Sequence, residues 1–233
     1  MKIALLGYGK MGRTIESLAQ KKGHQIVVAT NDAQGLDGFN GADVAIDFSV
    51  PSAAFDNIKM ALEAGIPVVS GTTGWLEELP KIESYCKETQ GAFLYASNFS
   101  VGVNIFFAIN KRLAELMGNQ ADYEPSITEI HHTQKLDKPS GTAISLAEDL
   151  LKFSQKSGWT LQSGAEADLW IDSIREGDVK GTHIINYTSE VDTLSIKHEA
   201  HSREGFALGA ILAAQWIIGK QGVYSMQDVL NIS

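Results

Sequence analysis

The sequence predicts an α/β chain of two domains, the first a parallel sheet covered by helices and the second an α+β domain with a mixed or antiparallel sheet. Three observations predict it. Short apolar runs alternate with amphipathic stretches from Met1 onward, a glycine-rich turn separates the first run from the first helix, and the alternation loosens after Asn98.

Lys2 to Leu6 reads as a short apolar strand and Met11 to Lys21 as an amphipathic helix. Strands at Gln25 to Ala29 and Val44 to Phe48 complete a βαβ opening. A helix at Ala53 to Glu63, a strand at Pro67 to Ser70, a helix at Leu76 to Glu88 and a strand at Ala92 to Tyr95 continue it, with glycines or prolines at the joins. Pro51 stands just before its helix, where a fixed φ and a missing N–H do least harm. Beyond Asn98 come a helix at Ile105 to Met117, an alternating segment at Ser126 to His131 and a helix at Thr142 to Phe153. Trp170 to Ile174, His183 to Tyr187 and Thr193 to His198 read as strands, the last two joined by a polar turn around Ser189 and Glu190. The final helix, Phe206 to Ile218, is apolar almost all round and needs a large apolar surface, which the first domain can offer.

With 233 residues and 44% hydrophobic content, the chain can bury an ordinary core. A net charge of −9 argues against a surface that seeks nucleic acid or anionic lipid, so any bound anion must meet a local cluster. The single cysteine, Cys86, fits a reducing compartment, and its flanking Glu, Lys and Tyr residues suggest a helix surface or flank. Ile3 to Leu6 is shorter than the roughly 7 apolar residues of a signal-peptide core. The run Ala207 to Ile218 falls short of the roughly 18 residues of a membrane span. A cytoplasmic protein is therefore expected, without membrane partners.

Gly7-Tyr8-Gly9-Lys10-Met11-Gly12 matches G-x-G-x-x-G immediately after a strand and at the start of a helix. The first glycine permits the turn, the second lets backbone approach a pyrophosphate, and the third lets helix and strand pack closely. This is a Rossmann-type dinucleotide signature. Asp32, near the end of the second strand, is placed to bond the adenosine ribose and would favour NADH, whereas Lys10 and Arg13 would attract the extra phosphate of NADPH. Asn31 is the alternative ribose partner, leaving Asp32 a solvated loop residue.

The segment from Glu129 to Ala143 concentrates cationic groups in an acidic chain. His131, His132 and Lys135 can converge at the end of a strand, and Ser140-Gly141-Thr142 opens a helix. The free N–H groups of that helix start suit a carboxylate or phosphate, and Gly141 lets the ligand approach. A neighbouring lysine can deliver the proton that follows hydride addition to a C=N or conjugated C=C bond. No metal is expected: adjacent strand histidines point to opposite faces, and no third ligand stands at a suitable spacing.

The segment resembles the E-x-H-H-x-x-K-x-D-x-P-S-G-T-A signature of the 4-hydroxy-tetrahydrodipicolinate reductase (dihydrodipicolinate reductase) family of diaminopimelate and lysine biosynthesis. Gly7 to Arg13, Asp47 to Pro51, Gly71 to Gly74, Ala96 to Gly102 and Ser202 to Ala207 are similar to further landmarks, in family order. The resemblance implies a dinucleotide-binding domain at 1–102 with 204–233, and an inserted domain at 103–203 for substrate binding and homotetramer formation. It implies NADH or NADPH as cofactor and a small cyclic dicarboxylate as substrate. Gly71, Thr72 and Thr73, with Ala96, Ser97, Asn98 and Phe99, would border the nicotinamide. His131 would handle a proton, Lys135 would donate one, and His132, Gly141 and Thr142 would bind substrate carboxylates. Asn31-Asp32 departs from the usual basic residue there, and Lys138 stands where alanine is common. Two rivals remain, another amino-acid dehydrogenase of similar plan and a non-catalytic dinucleotide sensor.

Overall fold

The computed structural model describes residues 1–31, 38–202 and 204–232. It divides into two compact units, Met1–Asn104 with Glu204–Ser233, and Ile105–Arg203.

The first unit runs β1 (Lys2–Leu6), α1 (Lys10–Lys21), β2 (Gln25–Thr30), β3 (Val44–Asp47), α2 (Pro51–Glu63), β4 (Val68–Ser70), α3 (Leu79–Glu88) and β5 (Ala92–Tyr95). Its sheet has the order β11-β5-β4-β3-β1-β2, with β11 (Gly222–Tyr224) supplied late in the chain and every pairing parallel. Strand alternation sends Ile3, Leu5, Ile46 and Leu94 to one face, where Ile15 and Ala19 of α1 meet them. The same face is covered by Ala210, Ile211 and Ala214 of α6 (Glu204–Ile217). Ala4, Leu6, Ala45 and Phe93 face the other way, onto Ile58 of α2 and Ile82 of α3. Burial on both faces explains why these strands read as unbroken apolar runs; each buried Ile or Leu contributes about 1.5–3 kcal/mol. The expected Rossmann-type architecture is present.

Cys86 departs from the expected helix surface. It is buried on the inner face of α3, and burial pushes its thiol pKa up, which makes it a packing residue.

The second unit holds most of α4 (Val101–Met117), then β6 (Glu124–His131), α5 (Gly141–Leu151), β7 (Trp159–Thr160), β8 (Leu169–Arg175), β9 (Thr182–Thr188) and β10 (Thr193–Glu199). Its sheet, β10-β9-β6-β8-β7, is mixed: β6 pairs parallel with β8 and antiparallel with β9. Helix α4 begins at Val101 rather than Ile105, because the Ser100 carbonyl accepts from Asn104 N at 3.0 Å and extends the first turn. The short β7 and β11, and α7 (Met226–Leu230) with its Ser225–Asp228 capping box, gave no periodic signal. Among the described residues, no helix is long and apolar enough to cross a membrane.

One face of this second sheet positions the site. Cross-strand register places Ile171, Ile127 and Ile185 in one fully buried row. The next row on that face is polar: Ser173, Glu129 and His183. A third row pairs Arg175 with His131. Helix α5 lies on the apolar end through Ala143, Leu146, Ala147 and Leu150.

Candidate active site

In the first unit, the chain leaves β1 for β2 on one side and returns through β3 on the other, so the loops after β1 and β3 meet where strand order reverses. They meet closely. Gly7 has φ +100°, and a Cβ on it would lie 2.1 Å from the Phe48 carbonyl oxygen. A Cβ on Gly12 would lie 2.3 Å from the Gly7 carbonyl oxygen, so this glycine fixes α1 against the turn. Gly9 differs: no described residue lies within 4 Å of its Cβ position. Gly9 is also the N-cap of α1, without a side-chain capping bond and without an acidic residue in the first turn. Open ground over bare helix N–H groups fits a pyrophosphate. Tyr8, Lys10 and Met11 flank that ground. The Tyr8 N–H donates to Asn31 Oδ1 at 2.6 Å, its hydroxyl bonds Glu16, and the Arg13 guanidinium lies over its ring at 5.5 Å. Asp32, the expected ribose partner, lies outside the described residues.

Asp47 ties the neighbouring loops together. Fully buried at the end of β3, it accepts from Ser49 Oγ at 2.6 Å, Ser70 Oγ at 2.8 Å, Thr72 Oγ1 at 2.7 Å and Asn57 Nδ2 at 3.1 Å. Burial raises its carboxyl pKa, against the pull of those four donors. The Thr72 side chain is therefore turned inward, while Thr73 is exposed. Gly71 is demanded by Phe48, whose ring would lie 2.3 Å from a Cβ there. Ala96, Ser97 and Asn98 stand at the end of β5, and Asn98 Oδ1 accepts from Ser100 N at 2.9 Å. Phe99 is core, 1% exposed and 5.6 Å from the Phe48 ring, with its carbonyl packed against Gly209.

In the second unit, Glu129 is the centre of a buried polar cluster. Its Oε1 accepts from Ser140 N at 3.0 Å, Arg175 Nη2 at 3.1 Å and the Ser173 hydroxyl. Its Oε2 faces His131 Nδ1 at 3.3 Å and His183 Nε2 at 3.8 Å. Burial alone would raise the Glu129 pKa, but the nearby His131 imidazole and the bonds from Ser140, Ser173 and Arg175 outweigh it and hold the carboxyl well below the usual range. Burial, reinforced by repulsion from His131, pulls His183 down to about 4, so it is neutral near pH 7. The two imidazoles meet edge-on at 5.1 Å.

Ser140 caps α5 by accepting from Ala143 N at 3.2 Å, leaving the Gly141 and Thr142 N–H groups at the helix mouth. Among the described residues, nothing lies within 4 Å of a Cβ on Gly141. His132 follows the strand end and is half-buried, and the Lys135 ammonium pairs with Asp137 Oδ2 at 2.8 Å. Arg175 holds the intervening loop through the Lys135 and Asp137 carbonyls. His131, His132, Lys135, Gly141 and Thr142 are thus carried on one strand end, its loop and one helix start.

The adjacent pair His131–His132 does not form a ligand set in the described residues, but His131 has other potential ligands beside it. His183 arrives from β9 opposite Glu129, and potential ligand atoms of Glu129, His131 and His183 lie within 4.8 Å of one another. Sequence spacing could not show it. The Arg175 guanidinium already brings a full positive charge to that carboxylate, which reads as a hydrogen-bond hub.

Residues 1–99 match the family described as "Dihydrodipicolinate reductase, N-terminus", and residues 102–230 match "Dihydrodipicolinate reductase, C-terminus". The chain belongs to the dihydrodipicolinate reductase family. It is 50% identical over 235 residues to the 4-hydroxy-tetrahydrodipicolinate reductase of Christiangramia forsetii, covering 99% of this chain and 98% of that one. The same-named protein of Alkaliphilus metalliredigens is 35% identical over 245 residues, covering all of both chains. A solved structure, dipicolinate-bound dihydrodipicolinate reductase from Paenisporosarcina sp. TG-14, shares the fold with a TM-score of 0.77 at 20% identity, over 98% of each chain.

Motif spacing alone assigns no role to Glu129, Ser173, Arg175 or His183 of this family member. Glu129 had a usable signal: it stands two residues before His131, hence on the same strand face. The other three depend on pairing between strands distant in sequence, which spacing does not encode.

Proposed function

We propose that this chain is an NAD(P)H-dependent 4-hydroxy-tetrahydrodipicolinate reductase, acting on a cyclic dicarboxylate to form tetrahydrodipicolinate in diaminopimelate and lysine biosynthesis. The observation that carries the reading is that His131, His132 and Lys135 lie on the end of β6 and its loop, with Glu129 at the end of that strand bonding Ser140 at the Gly141–Thr142 helix start, in a chain whose glycine turn fits a dinucleotide.

When bound, the reduced nicotinamide supplies the hydride. Gly7 to Gly12 hold the pyrophosphate, and the loops at Gly71 to Thr73 and Ala96 to Phe99 border the nicotinamide through backbone and small side chains. The Gly141 and Thr142 N–H groups, with His132, hold substrate carboxylates. The conjugated C=C–C=N system of the dehydrated ring accepts one hydride at carbon and needs one proton at the adjacent carbon. Lys135 Nζ donates that proton, and His131 handles proton exchange beside it. For a 4-hydroxy substrate, loss of water precedes hydride addition.

The region 1–102 with 204–233 serves the cofactor, and 103–203 serves substrate and assembly. A cytoplasmic homotetramer is the proposed form; the partly exposed Trp159 and Trp170, on neighbouring strands β7 and β8, support burial against further copies. Absorbance loss of NADH or NADPH with substrate formed in place from pyruvate and aspartate semialdehyde tests the activity. Sedimentation tests the assembly.

A further inference from the structure

Resting on the reductase reading, we infer that Glu129 is a positioning residue that locks the proton-handling His131 and the carboxylate-binding start of α5 into one unit. Its two oxygens have different tasks. Oε1 takes the Ser140 N–H at 3.0 Å, just ahead of the Gly141 and Thr142 N–H groups. Arg175 Nη2 at 3.1 Å and the Ser173 hydroxyl complete that oxygen's partners, so it cannot turn away without stranding them. Oε2 faces His131 Nδ1 at 3.3 Å and His183 Nε2 at 3.8 Å, with no well-aligned donor from any described residue. It is therefore the oxygen available to take a proton-bearing nitrogen.

A fully buried carboxylate beside Nδ1 favours the tautomer with hydrogen on Nδ1, which leaves Nε2 as the reactive nitrogen. Gly181 packs beside Nε2, where a Cβ would lie 3.3 Å from it, so a larger residue there would crowd the ring. Three elements face the imidazole. Strand β6 brings Glu129, β9 brings His183, and Arg175 stands opposite His131 on β8. Lys135 follows on the loop after β6, its chain held by Arg175 Nε on the Lys135 carbonyl at 3.3 Å. One carboxylate thereby sets both the ring of His131 and the register of the helix start that receives substrate.

The test combines two variants with one measurement on the unaltered chain. Glu129→Gln keeps an acceptor for Ser140 but presents an amide N–H to Nδ1. It is expected to lower kcat about 10-fold or more, from the roughly 10–100-fold cost of losing an outer-shell partner up to about 10⁴-fold for an imidazole that loses its orienting carboxylate. NADH and dipicolinate binding should stay within about threefold of wild type. Glu129→Ala loses both arms, so dipicolinate binding should also weaken about tenfold or more. Nitrogen-15 spectra of the unaltered, histidine-labelled protein, assigned with His131→Asn, should show His131 bare at Nε2 and hydrogen-bearing at Nδ1. Wild-type kcat in Glu129→Gln, or hydrogen on Nε2 in the spectrum, would overturn the inference. The spectrum decides even if the Glu129 variants do not fold. Absence of wild-type turnover would strike the reductase reading alone, because the tautomer and dipicolinate affinity are read without turnover.

Discussion

The His183 imidazole lies 3.3 Å from the hydroxyl of Ser140, the residue that caps α5, so a buried neutral histidine on β9 supports the helix start proposed to hold substrate. Its neutrality ties fold stability to pH. The folded pKa is depressed to about 4 from an ordinary 6.5, so the unfolded chain binds more protons between those values. The contribution of His183 is fully present above about pH 6.5 and is lost as pH falls towards 4. Glu129 adds loss of the same sign at lower pH, as the unfolded carboxyl takes up a proton before the folded one. Asp47 acts in the opposite sense, since burial raises its carboxyl. Comparing His183→Gln with wild type isolates the histidine: the difference in unfolding free energy between pH 7 and pH 4.5 should shrink, by at most about 1.4 kcal/mol per pH unit. Parallel denaturation curves for the two proteins across that range would contradict the assignment.

The first two glycines of the turn separate folding from binding. Gly7→Ala forces a Cβ into the Phe48 carbonyl at a positive φ and should cost about 3 kcal/mol or more in urea denaturation. Gly9→Ala meets open space and should melt near wild type while weakening NADH binding about tenfold or more, because its methyl occupies the phosphate ground. Equal effects of the two substitutions on stability would show that the turn is read wrongly.

Gly141→Ala makes the same kind of test on the substrate side. The Cβ position is unobstructed, so the fold should be unaffected. A roughly tenfold rise in KM with little change in kcat is the expected signature of lost ground-state binding. A fall in kcat at unchanged KM would place Gly141 elsewhere in the reaction.

Much of this was legible in the sequence, for identifiable reasons. Strands such as Lys2–Leu6 and Ala92–Tyr95 are short apolar runs between glycine or proline joins, and both-face burial preserves that signal. The glycine turn and the histidine–lysine segment are continuous in sequence, so their residues could be named directly. Glu129, Ser173, Arg175 and His183 form a site only through the register of β8, β6 and β9. The inward turn of Thr72 and the core position of Phe99 likewise follow from Asp47 and Phe48, partners that local pattern does not announce.

Lys135→Ala should reduce turnover about 10²–10⁴-fold, the usual scale of a lost general acid, with NADH affinity unchanged. Fluorescence titration of NADH beside the steady-state assay checks both halves. Parallel loss of binding and turnover would count against a proton-donor role.

The most direct measurement is absorbance of reduced nicotinamide at 340 nm, with substrate generated in place and NADH and NADPH supplied separately. The account predicts substrate-dependent oxidation of at least one of them, with tetrahydrodipicolinate as the product. A folded protein that binds the dinucleotide and oxidises neither would contradict the central claim.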